Sequence, residues 1–118
     1  MATKFDIGEF EHELSELSAR PHLEHLAVVV PLAPGMRELA SRAIAEGPPF
    51  DPVTVGLTSH QVLLTDREAV FVFGLAHGPG TLERILADDD FWSVVHWWEQ
   101  IAGDRPQIAE VAYTWAAG

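Results

Sequence analysis

Apolar positions along the chain alternate between a helical and a strand period. Ile7, Phe10, Leu14 and Leu17 recur at helical spacing, while Glu9, Glu11, Glu13 and Glu16 occupy the other faces. This predicts an amphipathic helix, with acids near its start where the helix dipole favours them. Arg20-Pro21 ends it, because the residue before a proline leaves the helical region. From Leu26 to Ala33 the chain is apolar without a break, and His25 to Leu32 reads as a strand stopped by Pro34-Gly35. Met36, Leu39, Ala40, Ala43 and Ile44 restore the helical spacing, and Glu38 lies four residues before Arg42 on that helix. Gly47 and Pro48-Pro49 close it.

Phe50 to Pro52 reads as a loop, and a strand is expected from about Val55 to Leu64 with a polar centre at Thr58, Ser59, His60 and Gln61. The polar link Thr65 to Glu68 joins it to a second strand, Ala69 to Ala76, which makes the pair a hairpin. After Gly78-Pro79-Gly80, Thr81 is placed to cap a short helix over Leu82 to Ala87. Asp88-Asp89-Asp90 then precede a helix from Phe91 to Ala102 whose stripe is Phe91, Val94, Val95, Trp98, Ile101 and Ala102. Gly103 and Asp104-Arg105-Pro106 lead into a last strand, Ile108 to Trp115. The order is a helix followed by βαββαβ. It predicts an α+β, ferredoxin-like fold with a four-stranded antiparallel sheet and helices on one face. The first and third strands belong in the centre and the second and fourth at the edges. Residues 1–21 form a helical extension and residues 22–118 the α+β domain.

The strands carry a further expectation. In the third strand, Val70 and Val72 point to one face of the sheet, and Phe71, Phe73 and Leu75 to the other. A sheet with one wet face should alternate apolar and polar residues. Helices cover one face only, and monomers seldom leave a large apolar patch bare. The simplest cover for the second face is another copy of the same sheet, related by a two-fold axis.

In these features the chain resembles the dimeric α+β barrel superfamily. The resemblance spans about His25 to Trp115. It rests on the element order, the two-faced apolar strands, and the Asp90-Phe91-Trp92 helix followed by Gly103, Pro106 and the final strand. It implies two ferredoxin-like protomers packed sheet to sheet, forming a homodimeric barrel. It also implies a spread of activities, from antibiotic-biosynthesis monooxygenases and polyketide cyclases to isomerases, haem-degrading enzymes and stress-responsive barrels without known chemistry. Haem-degrading relatives combine Asn, Trp and His, and this chain contains no Asn. Small polyketide cyclases use His with Tyr, and the single tyrosine here is Tyr113.

Composition narrows the choice. The chain of 118 residues carries 18 Asp and Glu against 7 Lys and Arg, a formal charge of −11. That excess argues against nucleic acid, whose phosphates need a basic footprint. With no cysteine there is no disulfide framework, no thiolate zinc site and no cysteine nucleophile. The longest apolar run is far short of the ~20 residues that span a bilayer. The start of the chain carries acids and no apolar signal region, so no membrane partner and a cytoplasmic location are expected.

Histidine is the candidate proton carrier near neutral pH. His60 sits between two apolar strand segments, as either a pocket acid or base or a solvated edge residue. His77 ends the third strand before a glycine-rich loop. With Tyr113 these form the candidate catalytic set. His25, Phe71, Phe73, Trp92, His96 and Trp97 are the candidate ligand-binding residues. Trp92 and Trp97 lie off the main stripe and need cover from the N-terminal helix, a partner protomer or a planar ligand. His22 and His25 alone make no metal site, and Asp88 to Asp90 read as helix capping, so no metal is expected. No cofactor is expected either: Gly78-Pro79-Gly80 lacks the phosphate-loop lysine, and no Gly-x-Ser-x-Gly elbow occurs. Two functions remain. One is a dimeric barrel that binds a small apolar or aromatic ligand or serves as an interaction module. The alternative is a cofactor-independent monooxygenase or cyclase/isomerase, in which His60 or His77 removes a proton and Tyr113 or the other histidine polarises the enolate. The two differ in whether His60, His77 and Tyr113 converge on one closed cavity.

Overall fold

A computed structural model describes residues 6–48, 50–115 and 117. The elements run α1 (Ile7–Leu17), β1 (His25–Pro31), α2 (Arg37–Ala45), α3 (Pro52–Val55), β2 (Leu57–Leu64), β3 (Glu68–Leu75), α4 (Pro79–Leu86), α5 (Asp89–Ile101) and β4 (Gln107–Ala109). The strands form one antiparallel sheet in the order β2-β3-β1-β4, with β1 and β3 central and β2 and β4 at the edges.

Register assigns the two faces. Leu26 lies opposite Phe73 and Val28 opposite Phe71, while His60 pairs with Phe73 and Val62 with Phe71. Because side chains alternate along a strand, these six share one face. Ala27, Val29, Val70 and Val72 share the other with Gln61 and Leu63. The inner face meets the core: Leu26, Val28 and Phe73 are buried together with Phe10 and Leu14 of α1, Leu82 and Ile85 of α4, and Trp98 of α5. On the outer face Val29, Val70 and Val72 are half-buried and Leu63 is exposed.

α1 begins where the Asp6 carboxylate accepts the Glu9 N–H at 3.1 Å. It covers the core as an amphipathic helix should, with Phe10 and Leu14 inward, and Arg105 bridges to Glu9 at 2.9 Å on its flank. α5 is capped by Asp88, which accepts the Phe91 N–H at 3.0 Å. Its acidic first turn is Asp89 and Asp90, as the capping reading of the acidic run expected.

Three boundaries differ from expectation. The strand placed from about Val55 starts at Leu57, because α3 precedes it. Asp51 caps α3 by accepting the Val53 N–H at 3.0 Å, Pro52 occupies the first turn, and Gly56 ends it at a φ of 91° that a side chain would strain. Thr81 caps nothing. α4 already starts at Pro79, and Thr81 is fully buried, accepting the His77 N–H and donating to the Gly56 carbonyl, both at 3.0 Å. The last strand ends at Ala109 rather than Trp115. Ala27 pairs with Ala109, and β1 begins two residues before Ala27 at His25, so the chain beyond residue 111 has no β1 residue to face. Tyr113 and Trp115 are accordingly exposed, at 80% and 74%.

Candidate functional site

A cavity of about 500 Å³ lies between the inner face of the sheet and the helices. Small-molecule sites commonly measure ~300–1,000 Å³, so the volume suits one small molecule. Leu26, Val28 and Phe71 form part of the sheet wall, while Phe10, Leu82 and Trp98 reach in from three helices. Leu39, Arg42, Glu46 and Pro48 also line it, and all four are exposed, which places the rim at α2 and the chain that follows it.

Three lining side chains among the described residues are ionisable: Arg42, Glu46 and His60. Arg42 is engaged with Glu38 at 2.7 Å on the exposed surface of α2. His60 is half-buried and lies in the aromatic wall. Its ring stacks on Phe73 with centroids 4.6 Å apart and planes 16° from parallel, and Phe50 tilts towards it at 6.3 Å. Trp98 meets Phe71 edge-on at 5.0 Å and Trp97 at 5.3 Å.

The His60 ring has a defined tautomer. Nδ1 lies 3.1 Å from the Val72 carbonyl oxygen. A carbonyl oxygen only accepts, so Nδ1 carries the proton and Nε2 keeps its lone pair in the neutral ring. Burial pushes the His60 pKa below its ordinary value, and the Val72 carbonyl opposes this only in part. At neutral pH the cavity therefore presents an uncharged imidazole whose Nε2 accepts. Trp97 and Trp98 contribute ring surface and indole N–H groups that can only donate.

The candidates of the sequence divide sharply. His60, Phe71, Phe73 and Trp97 all line the cavity. His77 and Tyr113 do not join them. His77 is exposed in the turn before α4, held by its backbone N–H to Thr81. Tyr113 stands on the chain beyond β4, for the pairing reason given above. The expected triad of His60, His77 and Tyr113 is thus three separate places. His25 starts β1 opposite Gly74, on the outer-face parity of the sheet. His96 is exposed on α5, and Trp92 is occupied by donating from Nε1 to the Leu86 carbonyl at 2.8 Å. The lining residues the sequence did not single out as site candidates, notably Phe10, Arg42, Phe50 and Leu82, come from three separate stretches of the chain: α1, α2 with the connection after it, and α4.

Among the described residues no group of three or more His, Cys, Asp or Glu is arranged to hold a metal ion, and no helix is long and apolar enough to cross a membrane. Comparison with protein-family models, curated proteins and solved structures finds no match for this chain.

Proposed function

We propose that this protein binds one small, uncharged, largely apolar molecule in the cavity between its sheet and its helices. The observation that carries this reading is the composition of the cavity wall. About 500 Å³ is lined mainly by aliphatic and aromatic side chains, and among the described residues the ionisable groups other than His60 stand at its open rim. Such a space favours an apolar guest by removing its surface from water, at about 25 cal/mol per Å². An enzymatic acid-base role is less well supported, because His77 and Tyr113 do not line the cavity with His60, and among the described lining residues the other ionisable groups, Arg42 and Glu46, are exposed.

The strand order and the placement of α2, α4 and α5 over one face support reading the chain as a ferredoxin-like protomer. The outer face, with Val29, Val70 and Val72 half-buried and no charged side chain among Ala27, Val29, Gln61, Leu63, Val70 and Val72, supports pairing with a second copy, as in a dimeric α+β barrel. Glu68 shares this parity at the end of β3, but the patch between these six residues carries no charge and there escapes the mutual repulsion that a formal charge of −11 imposes elsewhere.

Two measurements test these statements. Native mass spectrometry of protein purified directly from its host should give a dimer, and a monomer at micromolar concentration would remove the paired-sheet reading. Equilibrium dialysis against naphthalene should give saturable binding at one molecule per chain. The binding should be lost when Val62→Trp fills the cavity. Absence of saturable binding to the wild-type chain would remove the ligand-binding reading.

A further inference from the structure

This inference rests on the ligand-binding reading above and specifies what the guest must carry. We infer that the cavity selects a flat, uncharged aromatic molecule bearing a single hydrogen-bond donor, a ring O–H or N–H, which is accepted by Nε2 of His60.

Three observations converge on that chemistry. First, the His60 ring cannot present either edge at will. The Val72 carbonyl holds Nδ1 as the donor, and no protein group partners Nε2 among the described residues. His60 lines the cavity, and Nε2 is the polar atom of its ring left without a protein partner. Second, among the described residues His60 offers the one side-chain acceptor that lines the cavity away from its rim. Glu46, the other lining acceptor, is exposed, and the Trp97 and Trp98 indoles only donate. An incoming guest whose polar edge only accepts would face Nε2 lone pair to lone pair. A purely apolar guest would cover Nε2 and leave it unmatched, which carries a desolvation cost. A guest with one donor satisfies it. Third, the walls around His60 are aromatic planes: Phe73 is stacked on it, Phe50 is tilted beside it, and Phe91 is tilted in turn against Phe50. Planar rings fit between such faces with more contact than a branched aliphatic body of equal volume.

Charge at the guest's polar edge is disfavoured by the same geometry. An anion would meet the Nε2 lone pair, and Arg42, the cationic side chain that lines the cavity, is already committed to Glu38. A cation would have to shed its hydration shell within an apolar wall.

The test compares 2-naphthol, naphthalene and 2-naphthoate by equilibrium dialysis, with wild-type chain and the His60→Phe variant. The expected result is that wild-type chain binds 2-naphthol about tenfold more tightly than naphthalene, the value of one well-made hydrogen bond. 2-Naphthoate should bind more weakly than either. In His60→Phe the order of the first two should reverse, because the hydroxyl is then buried without an acceptor. Retained naphthalene binding by that variant shows its cavity intact. Equal wild-type affinity for 2-naphthol and naphthalene would overturn the donor inference while leaving the ligand-binding reading in place. So would an unchanged 2-naphthol preference in His60→Phe, or tightest binding of 2-naphthoate. Failure of all three molecules to bind the wild-type chain would overturn both.

Discussion

Replacing Thr81 separates hydrogen bonding from packing at the point where β2 is anchored. Thr81 is fully buried, and its hydroxyl links three segments: it accepts the His77 N–H and donates to the Gly56 carbonyl, each at 3.0 Å. Gly56 is the last residue before β2, and its carbonyl also accepts the Ala76 N–H at 2.9 Å. In Thr81→Val the side chain keeps its shape. The Gly56 carbonyl keeps one partner, but the His77 N–H loses its acceptor. Two bonds at about 1 kcal/mol each are removed. The added methyl returns up to about 0.8 kcal/mol of burial, and the stranded N–H adds its own desolvation cost. The net loss is about 2 kcal/mol. Thr81→Ser keeps both bonds and gives up only the methyl, a loss of about 1 kcal/mol. Urea unfolding followed by tryptophan fluorescence reads the difference. With a slope of ~1–3 kcal/mol per molar urea, the Val variant should lose roughly 1 M in its midpoint and the Ser variant about half that. Packing alone predicts the opposite order, with Val neutral and Ser worse. A Val variant as stable as wild type, or more stable than the Ser variant, would refute the hydrogen-bonding account.

Two further outcomes follow from the same geometry. Burial holds the His60 pKa below its ordinary value of 6.5 in the folded state, so the unfolded chain takes up this proton first on acidification. Stability from the neutral imidazole is complete above that value and is lost as pH falls below it towards the folded pKa. The stability advantage of wild type over His60→Phe should therefore be flat above pH 6.5 and shrink below it, and a difference that grows on acidification would contradict the burial argument. At the end of α5, a Cβ on Gly103 would lie 2.8 Å from the Leu32 carbonyl oxygen and 2.9 Å from its carbon, both rigid backbone. Gly103→Ala should lower stability by about 1–3 kcal/mol in thermal unfolding, and an unchanged melting temperature would show that the backbone there yields freely.

Periodicity carried the order and type of most elements, because the apolar stripes of α1, α2 and α5 and the unbroken runs of β1 and β3 are local patterns. The parity of Phe71 and Phe73 against Val70 and Val72 was equally plain, since it needs only strand alternation. α3 was readable too: Asp51 before Pro52, with Gly56 four residues on, is a cap, a first-turn proline and a terminator, but the β-branched Val53, Thr54 and Val55 masked it. The last strand failed for a non-local reason. Val111, Tyr113 and Trp115 alternate as a strand would, yet a strand also needs a partner, and β1 starts too late in the chain to provide one. The cavity was out of reach for the same kind of reason. Empty space between α2 and the sheet is a property of how elements stand apart, not of any residue type. His60 could be named as a candidate, but its place beside Phe73 depends on a register that shifts between Leu57 and Ser59.

The bond from His60 to the Val72 carbonyl has an evolutionary consequence. Which hydrogen-bonding sense the inner wall offers is dictated by the main chain of β3, which no substitution at Val72 removes so long as the sheet forms. The girth and contour of the chamber, by contrast, are dictated by interchangeable side chains such as Val62, Ile85 and Val94. Under the proposed binding, single replacements at such positions would change the size of guest admitted, while the demand made on its polar edge would hold for as long as His60 itself is kept.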